Sequence, residues 1–179
     1  DDSAAKYFAA VIPLGITIQF ILVGLGVIQD KAAVDAMTRH GNRKEILLGP
    51  TFYGFVFVLM TIIYWYDSPI GIIALMLMCG GDGFADIVGR KYGKVSLPWI
   101  KSKTYAGSLA MLLGGFIFSI GVLYVYIVYG IFPGNLSEYV IPTMIIAIVG
   151  MVVEALPVRD FDNITVTVAA SLLGHLFFH

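Results

Sequence analysis

Residues 69–79 read PIGIIALMLMC, eleven residues without a charge, and five other stretches of the chain are as apolar. A helix needs about 20 mostly apolar residues to cross the hydrocarbon layer of a bilayer. Six stretches approach or exceed that length: residues 7–28, 48–66, 70–88, 105–132, 139–156 and 164–178. The third is broken near its end by two aspartates, and the sixth is short. The chain is 59% hydrophobic and only 13% charged, against about 25% charged in soluble domains. A water-soluble globule of 179 residues could not hide so much apolar surface. The expected fold is therefore all-α, a polytopic membrane helix bundle of about six transmembrane helices. A net charge of −1 gives no general attraction to nucleic acid, and the single cysteine, Cys79, forms no intrachain disulfide. The chain opens DDSAAKY and enters an apolar run at once. No signal or transit peptide is read there, so the expectation is a mature form or a piece of a longer precursor.

The loops orient the spans. Lys31, Arg39, Arg43 and Lys44 follow the first span. Arg90, Lys91, Lys94, Lys101 and Lys103 follow the third, and Arg159 follows the fifth. The loops after the second and fourth spans carry no cation, and only Lys6 falls on the opposite side. Loops one, three and five share a face when there are six spans, so ten of the eleven cations lie together. The positive-inside rule makes that face cytoplasmic, stromal or matrix. Tyr64, Trp65, Tyr66, Trp99, Tyr105 and Tyr139 gather near span ends, as interfacial aromatics do.

Three polar clusters fall on the cation-rich face. In GGDGFADIVGRKYG, residues 80–93, Asp82, Asp86 and Arg90 are spaced four apart and would form one helical column. Two carboxylates one turn apart suit Mg²⁺, which usually takes one or two carboxylates and completes its shell with water and phosphate oxygens. Gly81, Gly83, Gly89 and Gly93 permit close backbone approach and can present N–H groups to a phosphate. The plainer reading makes the glycines helix-packing positions and Asp86–Arg90 an interfacial ion pair. In KSKTYAGS, Lys101, Lys103, Gly107 and Ser108 put ammonium groups, a glycine and a hydroxyl at the start of a helix, a good anion site. In EALPVRDFDNITV, Glu154 lies near the end of the fifth span, and Asp160, Asp162 and Asn163 fill the next loop. A carboxylate at membrane depth needs a partner and is functional by default.

These three motifs, in this order and spacing, resemble the polyprenol kinase family, and within it the phytol kinase and farnesol kinase branch. The resemblance runs from about Ser3 to the C-terminus. It implies a membrane enzyme that phosphorylates an isoprenoid alcohol with CTP, helped by Mg²⁺. It supports Asp82, Gly83, Asp86, Gly89, Arg90 and Gly93 in the nucleotide–metal motif, Lys101, Gly107 and Ser108 in the second, and Glu154, Asp162 and Asn163 in the third. Asp82 and Asp86 are expected to hold the metal. Arg90, Lys101 and Lys103 would neutralise the transferring phosphoryl group, and Asp162 or Glu154 would orient the alcohol or take its proton. A prenol lipid, a nucleoside triphosphate and membrane lipid are the expected partners. The plant phytol kinases act in plastid membranes and feed phytol towards tocopherol; the endoplasmic reticulum is the alternative location. Tyr105 stands where the family has tryptophan, and Phe161 replaces the first of a pair of aspartates, leaving Asp160 as its substitute. An upstream Arg-Lys…His motif of the family is absent, so the expectation is one integral-membrane catalytic domain over residues 1–179 that lacks an N-terminal segment. Rival readings are a farnesol, geranylgeraniol or dolichol kinase, a phosphatidate cytidylyltransferase, and an ion-coupled transporter. The cytidylyltransferase would close with a His-Gly-Gly…Asp-Arg type signature that this chain lacks, and a transporter would spread its acids along a path across the bilayer.

The orientation makes a direct prediction. Cysteines introduced at residues 42, 97 and 161, in a background without Cys79, should react with an impermeant thiol reagent from one common side. Labelling split between the two sides would refute the six-span topology.

Overall fold

A backbone inside lipid has no water to bond to, so a crossing segment must satisfy its own N–H and C=O groups, as a helix does. The computed structural model of the protein answers that demand with helices, and describes residues 2–38, 40–157 and 161–178. Arg39, Arg159, Asp160 and His179 lie outside the described residues. The chain divides into two compact units, Asp1–Trp65 and Tyr66–His179.

The first unit contains α1 (Asp2–Leu25), α2 (Lys31–Met37) and α3 (Gly49–Tyr64), with a 3-10 turn at Arg43–Leu47. Thr17 is buried in α1 and turns its hydroxyl back to the Pro13 carbonyl at 2.7 Å. A side chain at Gly54 of α3 would collide with it, so this glycine lets the two helices close. Asp30 caps α2 by accepting the Ala33 N–H at 2.9 Å.

The second unit begins with α4 (Pro69–Met76), a π-helical segment (Leu77–Asp82) and α5 (Gly83–Tyr92), which follow one another without a break. Pro69 suits the first turn of α4, where its missing N–H would have no partner in any case. Next come a short antiparallel hairpin, β1 (Ser96–Leu97) and β2 (Ile100–Thr104), and then α6 (Tyr105–Val128), α7 (Leu136–Glu154) and α8 (Asp162–Phe177). Helix α6 is central: it packs on α4, the π segment, α5 and α7, while α8 lies against α7 and α4. Ile73, Leu77, Met78, Met111, Ile146, Val166 and Ala170 form the buried interior.

Glycines bring α6 and its neighbour close. A Cβ at Gly114 would stand 3.0 Å from the Gly80 carbonyl oxygen, one at Gly81 would stand 3.1 Å from that of Met111, and one at Gly107 would stand 3.1 Å from that of Ala85. Helix association in lipid relies on such small residues, because lipid tails are as apolar as leucine.

Among the described residues, five stretches are long and apolar enough to cross a membrane: Ala4–Leu25, Arg43–Tyr64, Pro69–Tyr92, Tyr105–Val128 and Leu136–Glu154. They match the first five sequence spans, and the third continues past the expected residue 88 as α5 runs on to Tyr92. Helix α8 covers the sixth expected span but, at 16 residues, is not among these five. The fold is the expected all-α membrane bundle, with one addition, the β1–β2 hairpin. Leu97 is buried in that hairpin, so its exposed neighbour Ser96 is the better position for thiol labelling.

The crossing of α5 and α6 should be sensitive to size. Gly107→Val should destabilise the protein by about 1–3 kcal/mol through overpacking against backbone. Nothing stands within 4 Å of a Cβ built at Gly83, so Gly83→Ala should change stability by less than about 1 kcal/mol. Unfolding of the two variants in the same detergent would measure the contrast.

Candidate active site

Lys103 in β2 turns its side chain inward and joins three elements. Its Nζ stands 2.8 Å from Glu154 Oε1, at the last residue of α7, and 3.1 Å from Asp162 Oδ2, at the first residue of α8. It also donates to the Glu154 backbone carbonyl. An ammonium group has three protons, and all three are aimed at protein oxygens. The phosphate contact expected of Lys103 would require one of these bonds to open. Glu154 is 7% exposed, so its charge depends on this partner. Burial alone would lower the pKa of Lys103. The hydrogen bond and charge of Glu154, and then those of Asp162, more than offset that, and the pKa rises above the ordinary 10.5.

Asp82 lies within the field of this centre. It is the last residue of the π segment, half-buried, within electrostatic reach of Asp162, Glu154, Lys103 and, more weakly, Asp86. A π turn is an interruption of an α-helix that recurs at functional sites. The Asp82 side chain makes no hydrogen bond or ion pair among the described residues. Lys103 thus pairs with two carboxylates while a third, Asp82, lies within electrostatic reach, a balance that suits a cation. Among the described residues no three His, Cys, Asp or Glu side chains are grouped to hold a metal by themselves, so other oxygens would have to complete the shell of Mg²⁺.

Asp86 lies one turn further along, on α5. Its Oδ1 accepts from Arg90 Nε at 2.8 Å on a largely exposed face. Such i,i+4 pairs contribute only about 0.3–0.5 kcal/mol. Lys101 is exposed on β2. Thr104 caps α6 by accepting the Gly107 N–H at 3.1 Å. One residue on, the buried Ser108 Oγ has no hydrogen-bond partner among the described residues.

Comparison with known proteins adds a decisive observation. The chain is 39% identical over 180 residues to a probable phytol kinase, chloroplastic, of Triticum aestivum, covering 99% of the chain and 60% of that protein. It is 39% identical over 179 residues to phytol kinase 1, chloroplastic, of Arabidopsis thaliana, covering 99% of the chain and 59% of that protein. It is 36% identical over 173 residues to farnesol kinase, chloroplastic, of the same plant, covering 96% of the chain and 56% of that protein. Over nearly its whole length the chain is similar to chloroplastic phytol and farnesol kinases. It spans less than two thirds of the length of these relatives. No family model matches the chain, and no solved structure does.

The residues singled out in the sequence meet in space to different degrees. Asp82, Lys103, Glu154 and Asp162 come together although they lie far apart in the sequence. Asn163 is half-buried one residue further along α8. Asp86 and Arg90 sit on the outer side of α5 as a pair, and Lys101 stands apart. Gly81, Gly89 and Gly107 are at close helix crossings, and Gly93 ends α5, where a side chain would run into the Gly89 carbonyl and Thr104. Gly83 alone of these glycines is open. Phe161 is exposed immediately before α8; Asp160, its expected substitute, lies outside the described residues. Sequence reading took Trp99 only as an interfacial aromatic; its indole N–H donates to the Ala155 carbonyl at 2.7 Å. The Pro-Trp pair at a strand turn was the available signal.

The network predicts a sharp contrast between the two lysines. Lys103→Met strands Glu154 as a buried, unpaired carboxylate and should cost about 3–5 kcal/mol. Lys101→Ala should stay within about 0.5 kcal/mol of the parent. Because the folded pKa of Lys103 is raised, its contribution is fully present below the unfolded value and is lost as pH rises through the folded one. Unfolding temperatures of parent and Lys103→Met should therefore stay apart through neutral pH and converge only above pH 10.5.

Proposed function

We propose that this chain carries the catalytic centre of a membrane kinase that transfers the γ-phosphoryl group of CTP to the hydroxyl of an isoprenoid alcohol, phytol. The observation that carries the reading is the acidic centre at the polar end of an apolar span. Asp82 closes the π segment there, and Lys103 gathers Glu154 and Asp162 from two other helix ends beside it. A water-soluble nucleotide and a lipid alcohol can meet only at such a boundary. The similarity to chloroplastic phytol and farnesol kinases supports the alcohol acceptor, the kinase chemistry and a plastid membrane.

In the reaction the alcohol oxygen bonds to the γ-phosphorus, the bond from that phosphorus to the β–γ bridging oxygen breaks, and CDP leaves with that electron pair. Such transfers are driven by positioning and charge neutralisation. Mg²⁺, when bound, supplies neutralisation of the phosphate oxygens, and the unpartnered Asp82, with Asp86 one turn away, offers the carboxylates to hold it. Ser108, whose hydroxyl lacks a hydrogen-bond partner among the described residues, is suited to a phosphate oxygen. Lys101 and Arg90 supply positive charge on the exposed side. Asp162, less buried than Glu154, orients the alcohol and accepts its proton, while Lys103 holds both acids in place.

Membranes containing the full-length protein, Mg²⁺ and γ-labelled CTP or ATP should label phytol. Preferential labelling of farnesol or geranylgeraniol would change the substrate within the same chemistry, whereas CMP transfer to phosphatidate would overturn the kinase reading. Asp82→Asn and Asp86→Asn should each lower turnover by about a hundredfold, the scale of losing one transition-state contact. Near-normal turnover of Asp86→Asn would leave Asp86 as a plain partner of Arg90.

A further inference from the structure

The β1–β2 hairpin reaches α7 at two points. Lys103, near the end of β2, takes the backbone carbonyl of Glu154. Trp99, in the turn between the strands, gives its indole N–H to the carbonyl of Ala155, the C-cap residue just after α7. Two donors from one hairpin therefore hold two successive carbonyls. The last four carbonyls of a helix have no partner within it, and the negative end of the helix dipole favours a donor or a cation there. The ring of Trp99 is 58% exposed, so apolar burial does not explain its placement. An aromatic that only marks the interface would leave its N–H to water or headgroups; this one is committed to a carbonyl 56 residues away.

We propose that Trp99 is a positioning residue for the acidic centre: its bond to Ala155 fixes the end of α7, and with it the Glu154 carboxylate that Lys103 holds beside Asp162 and Asp82. The effect on turnover rests on the kinase reading above; the effect on α7 does not.

Trp99→Phe keeps a ring and removes the N–H, while Trp99→His keeps a ring donor. In the full-length protein, hydrogen–deuterium exchange would be followed at residues 153–156 and 162–164, alongside turnover with Mg²⁺, CTP and phytol. For Trp99→Phe, exchange in both segments should rise about five-fold, the scale of one net hydrogen bond. Turnover should fall by about the same factor, with KM for both substrates and the unfolding temperature unchanged. Trp99→His should recover part of both losses. Parent-like exchange in Trp99→Phe overturns the proposal, as does raised exchange with parent-like turnover. Failure of the variant to accumulate also overturns it, since an exposed ring with one hydrogen bond should not be required for folding. If the parent phosphorylates no alcohol, the kinase reading fails by itself, and exchange alone decides whether Trp99 fixes α7.

Discussion

One ammonium group organises the second unit. Lys103 sits where the end of α7, the start of α8 and a β-strand converge, and it is the cation that makes a buried Glu154 tolerable. The cost of burying a charge is recovered only when the partner geometry is good and the remaining protons are satisfied, and here all three protons are. The arrangement also explains why a helical membrane protein carries a hairpin at all. A short strand places a lysine sideways into helix ends, which a lysine at the end of a helix would address less directly.

The spans were legible because lipid imposes a simple rule on sequence: a crossing helix must be apolar over a fixed length. The π segment was not, because nothing in LMCGGD distinguishes a widened turn from an ordinary one. Its glycines point to close packing, which the contacts of Gly80 and Gly81 with α6 display. The hairpin was hidden for a related reason. Its paired strands are two and five residues long, too short for alternation to show against a run of lysines.

The candidate site was legible as a set of residues and less so as an arrangement. Spacing brought Asp86 and Arg90 together correctly, since an i,i+4 pair on a helix is a local property. Spacing could not say that Lys103 would face Glu154 and Asp162, which lie 51 and 59 residues away, or that Lys101 would not. Those outcomes depend on where the strand places each side chain. Trp99 escaped for the same reason: an aromatic near a span end is unremarkable until its N–H is found on a helix carbonyl.

If α8 is the sixth span that the charge pattern calls for, its brevity has a consequence for the surrounding lipid. Sixteen residues rise about 24 Å, against a hydrocarbon layer of about 30 Å. A bilayer accommodates such a deficit by thinning locally or through snorkelling residues that flank the helix. Where the thinning falls at the Asp162 end, headgroups and water descend toward the acids. In the proposed reaction, the lipid alcohol, whose hydroxyl rides at headgroup depth, would then reach them without its tail ever leaving the membrane.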